Sequence, residues 1–545
     1  MEMTKKMKMA AVGAAAVAVV GGGVFAYTRL AGGDPKETVI QAFENVYTEG
    51  QTDPMEELFG LSEFAKAGVS ASQNSGLMLK LDSCSEPAVN TYAGSGLRID
   101  AKNDVENNKV SANMGIIYNG MDLVNLDLYY GDNTVMAAVP ELSPKVFTLD
   151  FGEGLEERLK NSPMLGSALE QSGVDASVMA EYMELLAEQA RQTQEGQAAS
   201  FDLKALMKRY REGCKAEDDF KAALTVEKGE KASFTIDGKE QACRGYEVTV
   251  SKEAMINFLR TSSDFFLQDE VLKKDFLKRL ELSVKLSQLA GAQMEGQDFP
   301  TAQEMQEQTY EEARTEIDGM IAFLDSSLND VSMTVYVDKE GCLASVKGTT
   351  SFNNTGSEAE PVQLQFGCEL KGGAYPTQNM SAQAVLENGA ASVQIEAVKE
   401  GAYDGKELTS GFELSIENQG EIAEKWDITL DSSYNSEGGG FDVQAAAAQD
   451  GMELLGFSAQ GVVDELEKGK NIHLTLDSLD VSAMGDTGNA VLSGEYYIRP
   501  LTEEVVPLEG DTMDVLAAGE EEWNSVLMEV LFSFISLSGQ MDTGN

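Results

Sequence analysis

The stretch that decides the fold is Val331–Pro500, which opens with Val331-Ser332-Met333-Thr334-Val335-Tyr336-Val337-Asp338. Apolar residues take the odd positions here and polar residues most of the even ones. The alternation returns in Val362–Leu370, Phe412–Ile416, Trp426–Leu430, Phe441–Val443, Ile472–Leu476 and Leu492–Ile498. A period of two is typical of an antiparallel sheet that is dry on one face and wet on the other. The sequence therefore predicts a sheet whose apolar face needs a cover.

Further strands are predicted in the first half of the chain, where turn residues such as Asn119-Gly120 separate them. They are Gly76–Leu81, Gly96–Ala101, Lys109–Tyr118, Leu123–Tyr130 and Thr134–Val139, followed by the hairpin Ala232–Ile236 and Ala242–Val250. Together with the later strands they predict an α+β fold built on antiparallel, curved sheet. Whether the two strand sets form one sheet or two lobes stays open at this point.

The covers for the apolar face are predicted to be helices. Asp34-Pro35-Lys36-Glu37 has the residues of a helix start, and Thr301 with Glu304 forms a capping box. Apolar residues at helical spacing predict other helices at Pro54–Ala67, from Asp175, at Phe201–Glu212, at Ser251–Gly291 and at Trp523–Leu537. The last of these is interpreted as a lid over the sheet, and a partner-binding helix is the alternative.

The N-terminal segment is predicted to be a membrane anchor. Met9–Thr28 is free of charge for 20 residues, and Lys5, Lys6 and Lys8 precede it. A helix of that length spans about 30 Å, the thickness of the apolar core of a bilayer. The lysines place the N-terminus in the cytoplasm and the rest of the chain outside. A cleaved signal peptide ending near Val24-Phe25-Ala26 is the alternative.

Charge and cysteine usage narrow the possible functions. The net charge of −50 argues against nucleic-acid binding, because that needs a basic surface to neutralise phosphates. It is typical of a solubilising surface outside the cell. The five cysteines show no C-x-x-C spacing, which argues against a metal or redox motif. Pairing of Cys214 with Cys243 or of Cys342 with Cys368 stays open, with a buried free thiol as the alternative for Cys368.

The sequence shows no catalytic constellation. His473 is the one histidine, and its strand places it on the wet face with Asn471 and Thr475. No G-x-S-x-G elbow or phosphate-binding loop is present. Asp431, Ser433, Asn435 and Asp442 weakly match a calcium loop, but Ser436 stands where the loop needs glycine. We therefore expect a protein that is not an enzyme, with no cofactor, no metal site and no assigned catalytic or ligand-binding residue.

Two short segments carry a resemblance to known families. Asp132–Leu142 is similar to a strand followed by Pro-Glu-Leu in large membrane-anchored proteins of unknown function from Gram-positive anaerobes. Val335–Gly341 resembles the "strand, Asp-Lys-x-Gly, strand" hairpin of LolA/LppX-like half-barrel envelope proteins. The likeness covers Asp34 to about Ser351 best, and the chain lacks the lipobox of the lipoproteins among them. It implies a half-barrel that handles lipid or lipoprotein in some members.

These observations predict the organisation and role of the chain. The expected units are residues 1–33 as anchor or signal segment and 34–351 as helices plus a first half-barrel with helical inserts. Residues 352–500 form the strand meander, a second lobe or sheet extension, and 501–545 form an acidic linker and amphipathic helix. We expect a single-pass cell-membrane protein, mostly extracellular, that binds a lipid or other apolar ligand. The alternative is an envelope scaffold or interaction module that docks a protein partner and has no ligand cavity.

Overall fold

A computed structural model describes residues 34–46, 54–166, 169, 175–194, 203–291, 300–353, 360–389, 391–420, 423–483 and 488–542. The predicted N-terminal transmembrane helix lies outside these residues. Among those described, no helix is both long enough and apolar enough to cross a bilayer. The described chain forms one large curved sheet of 20 strands together with helices, which confirms the predicted α+β class.

The helices have these bounds: α1 Pro35–Val46, α2 Pro54–Phe59, α3 Leu61–Ser70, α4 Pro87–Asn90, α5 Leu155–Asn161, α6 Ala176–Gln194, α7 Leu203–Gly213, α8 Ala216–Ala223, α9 Lys252–Gln268, α10 Glu270–Gly291, α11 Ala302–Ser327 and α12 Glu520–Asp542. The strands are β1 Gln73–Cys84, β2 Gly96–Asp104, β3 Lys109–Tyr118, β4 Met121–Gly131, β5 Thr134–Ala138, β6 Lys145–Asp150, β7 Thr225–Ile236, β8 Lys239–Val250, β9 Val331–Val337, β10 Leu343–Phe352, β11 Val362–Gly372, β12 Asn379–Asn388, β13 Ala391–Tyr403, β14 Glu407–Gln419, β15 Ala423–Asn435, β16 Gly440–Gln449, β17 Met452–Glu467, β18 Asn471–Ala483, β19 Gly488–Pro500 and β20 Asp511–Asp514.

The strands pair in an order that joins both predicted strand sets. From β7 to β19 each strand pairs with the next in sequence. β19 then pairs with β1, and the order continues from β1 to β6. Short β20 adds to β6 as the parallel pair. The sheet is thus a single ribbon with β7 and β20 at its ends, in a half-barrel-like arrangement.

Antiparallel pairing gives the ribbon two long edges. We call the edge that holds the β9–β10 turn the upper edge, and the opposite one the lower edge. By the strand registers, the β7–β8, β13–β14, β15–β16 and β17–β18 turns also lie at the upper edge. The β1–β2, β3–β4 and β16–β17 connections lie at the lower edge.

Helix starts and breaks follow the local sequence. The predicted capping box of α11 is present, with Thr301 and Glu304 bonded to each other's backbone N–H. The single helix predicted over Pro54–Ala67 is two helices, because Gly60 adopts φ 67° between α2 and α3. A Cβ at Gly60 would lie 2.9 Å from the Gly469 nitrogen, so glycine allows this turn to sit against the β17–β18 connection.

The main core lies where helices α1, α8, α9 and α11 pack on strands β8–β12, which we call the covered region. Met333, Val335 and Leu364 of this core belong to the predicted alternating set, and Val248 lies in the predicted hairpin. Val346 of β10 and Leu386 of β12 also belong to the core, on strands that the sequence analysis did not predict. Val335 is 0% exposed and Leu364 is 2% exposed. The prediction that helices shelter the apolar side of the sheet is therefore correct for these strands.

Candidate apolar binding surface

The apolar face of the covered region continues onto the strands that follow, although Lys399 stands on it between Met380 and Phe412. Residues paired directly across strands share a face, and one such row runs Val346, Cys368, Ala382, Ala397, Leu414, Ile428, Ala447 and Leu455. A second row crosses the β19–β1 junction through Leu476, Gly494, Leu79, Leu97, Ile116 and Val124. The sheet therefore has one apolar face from β8 to β4, as the alternation predicts.

Strands β15–β19 and β1–β3, which we call the open region, leave much of this face uncovered. Its exposed large apolar side chains are Ile428, Leu430, Leu455, Phe457, Val481, Leu77, Leu97, Met114 and Ile116. Leu455 is 59% exposed and Ile116 is 51% exposed. Exposed apolar residues scattered singly are normal, but a set on one face of adjacent strands is typical of a binding surface. The open region is therefore the candidate site.

Helix α2 closes the upper end of the open region. Leu58 and Phe59 are buried against Tyr434, and the rings of Phe59 and Tyr434 have centroids 4.8 Å apart. The Gly469 N–H donates to the Phe59 carbonyl oxygen at 3.1 Å, which fixes α2 to the β17–β18 turn. Leu408, Phe441 and other apolar-face residues pack around this contact. The exposed part of the face consequently begins below Tyr434.

Another group of helices covers the far end of the ribbon. Leu155 and Leu159 of α5 pack with Ala180 of α6 beneath Leu149 of β6. Trp523 of α12 stacks on Phe147 of β6, with ring centroids 5.9 Å apart. These helices lie on the same face as the main core, because the register puts Phe147 opposite Ala137 and Ala137 opposite Leu128. Helices therefore cover the apolar face on either side of the open region, at β8–β12 and at β6.

The opposite face of the open region is polar. The Arg98 guanidinium lies 3.2 Å from the Asp122 carboxylate and donates to Asn113 and Asn125. Tyr497 donates its phenol proton to Asp100 at 2.7 Å. Burial, followed by this bond to a carboxylate, raises the pKa of Tyr497 to about 12. The two faces of the same strands thus differ in chemistry. The polar face carries networks of hydrogen-bonded side chains, and the apolar face carries the exposed large apolar side chains.

His473 lies on the polar face, as its strand alternation predicts. Its Nδ1 is 3.2 Å from the Asp464 carboxylate and its Nε2 is 3.8 Å from the Glu495 carboxylate. The Tyr497 ring is 6.4 Å away, centroid to centroid. Its neighbours are therefore carboxylates and a phenol.

The weak calcium-like segment forms a hairpin turn. Ser433 pairs with Asp442 across β15 and β16, and Asp431 pairs with Gln444. The Asn435 side chain accepts hydrogen bonds from the Glu437 and Gly438 N–H groups. Among the described residues, no group of three or more potential metal-ligating side chains converges.

All five cysteines are free thiols, so neither of the two candidate disulfide pairs forms. Cys243 is fully buried and Cys368 partly so, and burial raises the pKa of both thiols. Raised thiol pKa values lower the population of the reactive thiolate at neutral pH.

A second concavity, on the polar face, was missed by the sequence reasoning. The Asp237 N–H at the β7–β8 turn donates to the Lys371 carbonyl oxygen of β11 at 2.9 Å, so strand β7 curls over the polar side. The space beneath has a volume of 900 Å³, and Phe234, Lys347 and Glu400 are among its lining residues. Lys347 is paired with Glu369 at 3.0 Å. The Asp237-Gly238 turn was visible in the sequence. The curl of strand β7 was not, because it depends on a contact with the distant strand β11.

Comparison with known proteins leaves the family of this chain open. No family model matches the chain, and no curated protein matches it. Among solved structures, the chain is similar to the "CymD monoaromatic hydrocarbon channel", with 6% sequence identity over 85% of this chain and 97% of that one. The TM-score is 0.14, and a likeness at that level carries no argument about fold or function.

Proposed function

We propose that this is an extracytoplasmic, membrane-anchored protein, not an enzyme, that binds a lipid or another apolar ligand on the apolar face of its open region. The observation that carries the proposal is the set of exposed apolar side chains on β15–β19 and β1–β3, in direct continuation of a buried core. We propose that the sheet acts as a LolA/LppX-like half-barrel, in which the apolar face binds the ligand and the helices on either side border the binding surface.

The physical argument rests on the cost of apolar exposure. Each Å² of apolar surface removed from water contributes roughly 25 cal/mol. A ligand that covers exposed groups such as Leu455, Phe457 and Val481 therefore gains affinity without any charged contact. Nearby polar groups that would select a polar ligand lie on the opposite face, as Arg98 and Tyr497 do. An acyl chain fits these properties better than a charged metabolite.

The location is also a proposal. Met9–Thr28 with its preceding lysines supports a single-pass anchor that leaves the sheet outside the cell. The net charge of −50 supports a solvated extracellular surface.

The test compares substitutions on the two faces of the same strands. Ile428→Asn and Phe457→Asn place amides on the apolar face, while Thr429→Asn and Ser458→Asn place them on adjacent positions of the polar face. We expect the first pair combined to weaken binding of a fluorescent fatty acid by at least about tenfold, which corresponds to about 1.4 kcal/mol. The second pair should leave the affinity within about twofold.

Native mass spectrometry of the gently purified full chain provides the second readout. A retained lipid that is lost in the Ile428→Asn/Phe457→Asn variant supports the proposal. Absence of retained lipid, together with no binding of fluorescent fatty acid, removes the ligand-binding function and leaves the scaffold or interaction module in its place.

A further inference from the structure

The lower edge of the sheet differs from the upper edge in the residues at its turns. Val89 and Tyr92 in the β1–β2 connection are 44% and 58% exposed, and Met121 after the β3–β4 turn is 70% exposed. Met452 after the β16–β17 turn is 66% exposed. Along the lower edge these connections stand in the order β16–β17, β1–β2 and β3–β4, with the β18–β19 connection between the first two. The Gly120 N–H also donates to the Gly94 carbonyl oxygen at 2.9 Å, which joins two of the connections.

The lower-edge connections also carry acidic residues such as Asp122 and Asp450, whereas the described hairpin turns of the upper edge carry charged residues without the apolar tips. The upper-edge turns include Asp237-Gly238, Asp404-Gly405-Lys406, Glu437-Gly438-Gly439 and Lys468-Gly469-Lys470. In the described part of the chain, no upper-edge hairpin turn carries an exposed large apolar side chain. Hairpin turns normally carry polar residues, so three connections with exposed large apolar side chains on the same edge indicate an interaction surface.

Helix α12 adds apolar surface to the same edge. Its Trp523 lies on Phe147 in the middle of β6, and its Glu529 accepts a hydrogen bond from Ser143 at the lower end of that strand. The helix therefore descends, and its next six residues extend about 9 Å further. These carry Leu531, Phe532, Phe534 and Ile535, each at least 50% exposed. The segment from Val530 to Ile535 has no charged residue.

The start of the described chain is at this edge as well. Lys36 donates to the Ala222 carbonyl oxygen at 2.7 Å, just before the lower end of β7, while Asn45 donates to Gly341 at the upper β9–β10 turn. Helix α1 thus rises from the lower edge. Only Arg29–Gly33 separates it from the uncharged run Met9–Thr28, and five residues span at most roughly 18 Å.

We propose that the lower edge, formed by the β16–β17, β1–β2 and β3–β4 connections and the last turns of α12, docks onto a lipid bilayer. A bilayer provides an apolar environment for tips distributed along one edge, and it is the surface to which the uncharged N-terminal run would tether the lower edge. The charge of −50 directs the chain toward zwitterionic rather than anionic lipid, and apolar docking of this kind is insensitive to salt. The proposal does not depend on whether the open region holds a ligand.

The experiment uses the full chain reconstituted into nanodiscs of zwitterionic phosphatidylcholine, with and without a brominated acyl chain that quenches tryptophan. Met121→Trp and Met452→Trp report from the lower edge, and Met55→Trp on α2 is the matched control at the upper edge, where Met55 is 40% exposed. The signal of the parent chain, with Trp426 and Trp523, is subtracted. We expect brominated lipid to reduce the emission of both lower-edge tryptophans by at least about twofold, and to leave the Met55→Trp signal unchanged.

Other outcomes overturn the proposal in distinguishable ways. Equal quenching of the lower-edge and control tryptophans refutes docking of the lower edge. Co-flotation of the chain with lipid would then support the anchor alone. Suppose instead that no quenching is seen, that the chain sediments as a dimer, and that Met121→Asp and Phe534→Asp disrupt this dimer. The lower edge is then assigned to contact with a second copy of the chain. Absence of quenching with a monomer refutes an apolar docking role for the edge.

Discussion

The covered and open regions share one sheet and one apolar face, yet they differ in what lies on that face. In the covered region, helices α1, α8, α9 and α11 reduce the exposure of residues such as Leu364 to 2%. In the open region, Leu430 on the same face is 44% exposed. The difference follows the position of the helical inserts, since residues 151–224 precede β7 and residues 251–330 lie between β8 and β9. The inserts cover the strands that they adjoin and the neighbouring β10–β12, and they do not reach the strands further along the ribbon.

The largest expected effect is on stability, from truncating matched leucines in the two regions. Leu364→Ala removes a buried side chain and should lower the free energy of unfolding by about 2–5 kcal/mol. Leu430→Ala removes an exposed one on the same face and should change it by about 0.5 kcal/mol or less. Urea unfolding followed by circular dichroism measures both. Equal losses would mean that the open region is covered in solution.

A smaller difference is expected between two ion pairs. Lys221 in α8 is buried between Glu44 and Glu217, with Nζ–Oε1 distances of 3.5 and 2.8 Å. Lys221→Met leaves carboxylates in a buried site and should cost about 3 kcal/mol. Lys406 and Glu437 form an exposed pair at the upper edge of the open region, and Lys406→Met should cost no more than about 0.5 kcal/mol. Thermal unfolding measures the melting temperature of each variant. Equal decreases in melting temperature for the two variants would contradict the comparison.

The smallest effect is a pH dependence that belongs to the open region. Burial and the Asp100 hydrogen bond raise the pKa of Tyr497 from 10.0 to about 12. The phenol of the unfolded chain therefore loses its proton first as pH rises. The stability that this group contributes is complete below about pH 10 and is lost as pH rises through about 12.

The variant Tyr497→Phe should flatten that alkaline loss without changing the profile near neutral pH. The melting temperature measured in steps between pH 9 and 12, for wild type and variant together, provides the comparison. Superimposable profiles for the two proteins would show that Tyr497 is not the source.

Local features were predictable because local sequence encodes them. The alternation around Val335 and Leu414 placed both residues on the apolar face, and Thr301 with Glu304 gave the start of α11. The pairing of β1 with β19 was not predictable, since it joins residues more than 400 positions apart through backbone hydrogen bonds that any sequence can form. The short strand β20 and its parallel pairing with β6 were missed for the same reason.

The C-terminal helix shows how far the pattern reaches. Its apolar residues predict a lid, and Trp523 and Val526 do pack beneath it against Phe147 and Met513. Further along the helix, Leu531 and Phe534 are 50% and 58% exposed. Apolar spacing shows that a side chain favours burial, but it does not show which surface provides it. The prediction of a lid therefore holds for the first turns of α12 only.

The sequence by itself determined which residues lie on each face of the strands that it predicted and where most helices begin, because side-chain direction and capping depend on near neighbours in the chain. Only the tertiary structure decided that helices cover the apolar face in the covered region and leave it exposed in the open region. It also decided that several connections with exposed apolar residues lie on the lower edge. These outcomes depend on which distant segments meet. The described helices are too few to cover the apolar face along the whole ribbon.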